Sequence, residues 1–394
     1  LSLARASTDK NAMSVAITVI IPMFNARAWI AAAIRSVLDQ SLAEVEVLVV
    51  DDASTDDSRT IVSDIAASDA RVRLVPADAS APRGVARARN RGLDLAAGCF
   101  VMFMDSDDTL HPGALAALVD SAQRDNAPAS VGDFTLHHEL GGLLERVPVR
   151  HDRITLREHL AGLFFITHAH AVRRDVLVRS GVRFREDLAV IEDTDVWLRL
   201  ALAGVWWTRA RDEQKEPALV GAYRLRLSSR SADLPTMLAC TARVYRDAYA
   251  AARLAGATAA DTDVSDERLA TLLLKSAVGY ATRRVLQGGP NALLEAEGML
   301  ASFINATPAD TQRAAVTLDG PLLHHIARRA VLMTIAVSPD DPLERGCWVP
   351  SIIQWWSHLE STHLITSTHR RSAEARLVQG QPGFRAGDAI ASAA

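Results

Sequence analysis

Cysteine is scarce in this 394-residue chain, and Cys99, Cys240 and Cys347 lie far apart with no CxxC pair or Cys/His cluster. Their spacing excludes a disulfide framework and a finger-type zinc site, and it fits a reducing, cytoplasmic setting. Long apolar runs are missing too: the best stretches, around 161–172 and 347–356, are short or interrupted by polar groups, below the roughly 18 to 20 residues of a spanning helix. A protein that is soluble, or peripheral to the inner face of a membrane, is expected. There is no basic excess, since the formal net charge is −4, so the electrostatic footprint of a nucleic-acid binder is absent. The opening LSLARASTDKNA lacks the apolar core of a signal peptide, and residues 1–15 read as an extension around a start at Met13.

What is present is apolar surface, 49% of residues, enough over this length for two parts with a core each. From Ile17 to about Arg226, apolar runs suited to buried strands alternate with helical patterns, the layout of an α/β fold with a largely parallel sheet covered on both faces. ITVIIP (17–22), VEVLVVDD (45–52), RVRLVP (71–76) and CFVMFMD (99–105) read as strands, with helices at 28–40, from Asp56, and at 84–97. Beyond Asp105 the pattern is mixed: a helix opens at His111-Pro112, strand-like stretches flank Gly141-Gly142, and FFITHAHAV (164–172) reads as a strand. A helix near Asp193, a strand VWWTR (205–209) and PALVGAYRLR (217–226) close a unit spanning 16–230. Residues 231–367 are Ala- and Leu-rich without strand signals and read as a helical domain, and 368–394 read as a loose tail.

In open α/β sheets ligands gather at the C-terminal ends of strands. Three such ends carry polar clusters: Pro22-Met23-Phe24-Asn25, Asp51-Asp52-Ala53-Ser54-Thr55-Asp56, and Asp105-Ser106-Asp107-Asp108. Each has an ordinary structural reading, as a turn or a helix N-cap. Asp105 and Asp107 are the sharpest pair, because residues two apart in extended chain point the same way and can share one hard cation while leaving positions open for phosphate oxygens.

TVIIPMFNARAWIAAAIRSVLDQS, EVLVVDDASTDDS, GVARARNRGLDLAAGCFVMFMDSDD and EDTDVWLRL, in that order, resemble the family 2 glycosyltransferases of GT-A fold over about residues 16–230. The resemblance implies a Rossmann-like mixed sheet flanked by helices and transfer of a hexose from a UDP-sugar, with inversion, to a hydroxyl of a glycan or lipid-linked oligosaccharide in bacterial surface polysaccharide synthesis. It places Pro22, Phe24 and Asn25 along the nucleotide pocket, Asp52 on the base, Arg89 beside the nucleotide, and Asp105 and Asp107 on the ribose and on Mg²⁺ or Mn²⁺, with Asp108 adjacent. It makes Asp193, behind Glu192, the catalytic base. Tyr223, Arg224, Ser228 and Ser229 fall where the family closes a loop over the diphosphate. The Gln-x-x-Arg-Trp motif of processive synthases is absent, so one sugar per encounter is expected.

VMFMDSDDTL also resembles the nucleophile motif of haloacid dehalogenase-type phosphohydrolases, which would make Asp105 the nucleophile of a Mg-dependent phosphatase. Those enzymes place that strand first and need a downstream Lys, whereas here a full α/β segment precedes Asp105 and no Lys occurs between Asp105 and Glu192. His168 and His170 alternate in the expected strand, where they read as half-buried strand residues or as acceptor or metal contacts. DGPLLHHIARRAVLMTI (319–335), with Trp348, Trp355 and Trp356 beyond it, suits a membrane surface, a core or a homodimer interface.

Overall fold

A computed structural model of the protein describes residues 15–77, 83–138, 143–162, 166–225, 233–257, 265–286, 291–307, 349–361, 364 and 367–379. Strands β1 (Ile17–Met23), β2 (Val45–Asp51), β3 (Val72–Val75) and β4 (Phe100–Phe103) lie in the order β3-β2-β1-β4 and are parallel throughout. Every residue of β1 is buried. A strand paired on both edges and covered on both faces has no solvent side, which is why ITVIIPM is unbroken rather than alternating. Helices α1 (Ile30–Leu38), α2 (Ser58–Ser68) and α3 (Val85–Leu95) connect these strands. In α1 the buried residues Ile30, Ala33, Ile34 and Val37 form the stripe that 3.6 residues per turn requires.

Past β4 the sheet continues through β10 (His170–Arg173), β6 (Ala129–Val131), β11 (Trp207–Arg209) and β9 (Arg153–Ile154) to eight strands. It is mixed there, because β10 runs antiparallel to both β4 and β6 and β9 antiparallel to β11. A second sheet has the order β5 (Thr109–Leu110), β12 (Leu219–Leu225), β7 (Asp133–His138), β8 (Leu143–Val147). Helices α4 (Ala114–Arg124), α5 (Leu156–Leu160), α6 (Arg174–Ser180) and α7 (Glu192–Leu202) complete this part.

The expected strand over 164–172 is corrected: residues 163–165 lie outside the described residues, Thr167–Ala169 form a 3-10 turn, and the strand starts at His170. The alternation of THAH imitates a strand, yet Ala169 N–H closes back on Ile166 O at 3.1 Å, and the turn buries both Thr167 and His168.

After β12 come α8 (Leu234–Leu254), α9 (Asp266–Leu286), α10 (Ala292–Ala306), α11 (Val349–Ser361) and α12 (Ser367–Gln379). One buried cluster joins these helices to the sheet region: Leu238, Tyr245 and Tyr249 of α8, Leu273 and Ala277 of α9 and Trp355 of α11 pack with Leu160, Leu188 and Leu198. The interfacial reading of the tryptophans is corrected for two of them. Trp355 and Trp356 are 0% and 1% exposed, and Trp355 donates its indole N–H to Thr282 at 2.9 Å, which suits core packing and not a membrane surface. Trp348 and the stretch 319–335 lie outside the described residues. The tail expected from 368 begins instead as a helix, α12, held by burial of Ala373 and by Arg370 between Glu360 and Glu374; 380–394 lie outside the described residues. Among the described residues no helix is long and apolar enough to cross a membrane.

Candidate active site

The chain leaves β1 toward β2 and β3 on one side and returns to β4 on the other, so the strand order reverses at β1 and opens a crevice at the C-terminal ends of β1, β2 and β4. Pro22 is tolerated in this central strand for a positional reason. Ile20 O accepts Met104 N–H at 3.0 Å, so Pro22, two residues on, turns its missing N–H toward β4, whose pairing with β1 stops at Ile20–Phe103.

The loops after β1 and β2 are stitched together. Asn25 accepts the Thr55 N–H on its side-chain oxygen at 2.8 Å and donates its own N–H to Ser54 Oγ at 3.1 Å. Ala26 N–H reaches Ser58 Oγ at 2.8 Å, and Asp51 Oδ1 accepts Ser54 N–H at 3.0 Å. Asn25 and Ala53 hold left-handed backbone, φ 48° and 64°, which brings the two loops edge to edge. Asn25 therefore ties the two loops to each other, while Phe24, 48% exposed with the Arg83 guanidinium 5.4 Å from its ring centre, offers the open aromatic surface at this mouth. Asp52 accepts the Gly84 N–H on its carboxylate, at 2.9 Å from Oδ2, one residue before α3 begins.

Arg89, five residues along, is 1% exposed. Its guanidinium donates to Asp105 Oδ1 at 2.6 Å and to Glu192 Oε1 at 2.7 Å, with the Phe184 ring 5.2 Å away. Burial disfavours the charged form, but Asp105 and Glu192 outweigh it and hold the Arg89 pKa above its usual range. Through its two terminal nitrogens Arg89 ties the end of β4 to the start of α7, and Asp105, expected on the ribose, is one of the two carboxylates it holds. The tie brings Asp193 to the same crevice. Asp193 Oδ2 accepts the Thr167 hydroxyl at 3.0 Å and Oδ1 accepts the Thr194 N–H at 2.7 Å. Burial, and then the neighbouring Glu192 charge, push the Asp193 pKa up. Ile191, the residue before the pair, has φ 56°. A β-branched side chain is strained in that conformation, by roughly 1–3 kcal/mol, and is kept there by packing against the shared helical core.

Asp108 is buried and accepts the Arg224 N–H at 2.7 Å, and its other oxygen lies 3.3 Å from His168 Nδ1. Burial, then Asp107 and Asp105, drive the Asp108 pKa well above the carboxylate range, while burial lowers His168 to about 4. His170 is 1% exposed and stacks on Trp197 with ring centres 4.3 Å apart, so neither histidine faces an acceptor and the half-buried expectation understated their burial. Arg224, which the resemblance put in a loop over the diphosphate, also braces the loop after β4: its Nε donates to Asp107 O at 3.0 Å and its guanidinium lies 4.5 Å over Trp29. Ser228 and Ser229 lie outside the described residues.

Among the described residues no three His, Cys, Asp or Glu side chains form a ready cation cage. Asp105 and Asp107 still fit a hard cation. Both are partly exposed oxygen donors, and their negative charge is concentrated enough to raise the pKa of Asp108. Mg²⁺ typically takes only one or two protein carboxylates and fills its other positions with water and phosphate.

Residues 18–180 match the family described as glycosyl transferase family 2. The chain carries a family 2 glycosyltransferase domain. It is 27% identical over 187 residues to the uncharacterized glycosyltransferase EpsJ of Bacillus subtilis (strain 168), 45% of this chain and 54% of that one. Identity is 35% over 120 residues to the UDP-Glc:alpha-D-GlcNAc-diphosphoundecaprenol beta-1,3-glucosyltransferase WfgD of Escherichia coli, 30% of this chain and 46% of that one. The chain thus spans about half the length of these curated relatives. Among solved structures, S. aureus TarS 1–349 in complex with UDP superposes with a TM-score of 0.51 and 19% identity over 82% of this chain and 89% of that one. The fold is GT-A, and the segment 18–180 matches a family of transferases. The phosphohydrolase expectation finds no support: the domain matches the transferase family, and Asp105 sits at the end of the fourth strand, held by Arg89.

Proposed function

We propose that the protein is an inverting, non-processive transferase that moves a hexose from a UDP-sugar to a hydroxyl of a glycan or lipid-linked oligosaccharide, and that the strand unit 16–230 does the chemistry while the helices after it form a second domain. The Arg89 tie carries this reading, because it joins Asp105 to Glu192 and so sets the proposed base Asp193 at the crevice that Asp52 and Phe24 also border. In the transfer, the acceptor oxygen bonds to the anomeric carbon on the face opposite the diphosphate. The carbon–oxygen bond to phosphate breaks with its electron pair leaving on UDP, and the hydroxyl proton passes to Asp193. Its raised pKa suits that role, since a carboxylate whose pKa is pushed up accepts a proton more readily than an ordinary one. Phe24 and Asp52 orient the nucleobase, with Pro22 and Asn25 shaping the pocket. Asp107 and Asp105 would hold Mg²⁺ or Mn²⁺, whose charge when bound offsets that of the departing diphosphate. The donor assignment is supported by a relative whose name specifies UDP-Glc and by a fold neighbour solved with UDP.

Asp193→Asn is expected to keep UDP binding while slowing sugar transfer by about 10²–10⁴-fold. Asp107→Ala is expected to remove the Mn²⁺-dependent part of UDP binding, read by calorimetry with and without the metal. Wild-type turnover in Asp193→Asn would remove the base from the scheme.

A further inference from the structure

The helices after β12 lie beyond the matched segment 18–180, yet they grip the helix that carries the proposed base. On α7, Asp195 follows Asp193 by two residues, about 200° around the helix axis, so the two carboxylates face opposite ways. Asp193 faces the crevice and Asp195, 4% exposed, faces the support. Arg185 stands between Asp195 and α8: its NH1 lies 3.7 Å from Asp195 Oδ1 and donates to Asp247 Oδ2 at 3.0 Å. Its other nitrogens donate to Asp187 at 2.9 and 3.1 Å. Asp187 is also bound by Arg243, one turn before Asp247 on α8. Arg199 closes the far side by donating to Asp195 at 2.8 Å. Below this charge ring Leu188 and Leu198 pack with Val244 and Ala248, and Tyr249 donates its hydroxyl to Leu160 O at 3.0 Å.

We propose that Arg243 and Asp247 of α8, acting through Arg185 and Asp187, are positioning residues that fix the rotation of α7 and hence the direction in which Asp193 points. The inference rests on Asp193 being the base. A helix with the strained Ile191 at its entry has a reason to rotate, and the ring on its outer side resists that rotation. Misplacement of a base by an ångström lowers turnover far more than it lowers donor binding.

The test uses the full chain with Arg243→Ala/Asp247→Ala, both side chains being about half exposed, so that folding is retained. Release of UDP from UDP-glucose, UDP-galactose and UDP-N-acetylglucosamine with Mn²⁺, water serving as acceptor, reports turnover; calorimetry with UDP reports donor binding; hydrogen exchange reports the first-turn amides of α7. The double variant is expected to lower kcat about tenfold or more, to leave UDP affinity within about twofold, and to speed exchange at Thr194–Val196. Asp247→Glu, with Arg243 kept, should restore most of the turnover. Wild-type kcat in the double variant, or an equal loss in UDP affinity, overturns the positioning role. Asp193→Asn run alongside separates the two readings: if it turns over normally, or if the wild type releases UDP from none of the three donors, the base assignment fails and takes this inference with it.

Discussion

At the scale of single residues, the decisive side chain is one whose type carries no mark of its role. The chain is rich in arginine, and Arg89 differs from the rest only by position: in α3 the buried residues are Ala86, Ala88, Arg89, Gly92 and Leu93, so an arginine lies on the apolar stripe. A cation there requires acids from elsewhere in the fold, and Asp105 and Glu192 supply them. Removing one partner of such a buried set leaves charge without compensation, which typically costs about 3–5 kcal/mol, whereas removing charges together costs less. Arg89→Met should therefore lower the free energy of unfolding by about 3–5 kcal/mol in urea titrations, and adding Glu192→Gln should recover part of the loss. A strictly additive pair of losses would mean that the two groups do not share an interaction.

At the scale of elements, the placement of Arg89 depends on how closely α3 approaches β1. Gly92 lies one turn past Arg89, and a Cβ built on it would stand 2.3 Å from Ile20 Cγ2. Gly92→Ala should push α3 away from the sheet, destabilise the fold by about 1–3 kcal/mol and loosen the Asp105–Arg89–Glu192 tie. A crystal structure of the variant with unchanged α3 and an unchanged melting temperature would refute this. The same elements show what was legible. β1, β2 and β4 are long enough to read as apolar runs, and their ends carry Asp52 and Asp105, so the first half of the sheet and the strand-end part of the site followed from pattern alone. β5 and β9 have two residues each and β6 three, too short for any period, so those strands were not visible; stretches covering β7, β8, β11 and β12 were singled out, but their division between two sheets and the antiparallel pairing of β10 depend on partners distant in sequence. Asp193 could be singled out by its motif, but the tie that brings it to Asp105 spans over a hundred residues of sequence and has no local signature.

At the scale of the whole molecule, the sheet and the helices after it are joined through a region where histidines take the place of apolar residues. His159 meets Trp207 edge-on at 4.6 Å, His170 stacks on Trp197, and Leu160 and Leu198, next to His159 and Trp197 in sequence, belong to the core shared with α8 and α9. Burial lowers His159 to about 4 and His170 well below its usual range, so both are neutral in the folded protein. In the unfolded chain each takes up a proton near pH 6.5. At these two positions the unfolded state thus binds more protons than the folded one between about pH 6.5 and pH 4, and their contribution to stability falls as pH falls through that window. Each histidine contributes a slope of up to about 1.4 kcal/mol per pH unit, and the loss levels off only below the folded pKa. The urea midpoint should therefore be lower at pH 5 than at pH 7.5. His159→Phe, which keeps an aromatic ring against Trp207 but cannot be protonated, should flatten the dependence by one proton. Equal midpoints across that range would mean that these imidazoles gain protons in the folded state, and that the joint between sheet and helices is wetter than its packing implies.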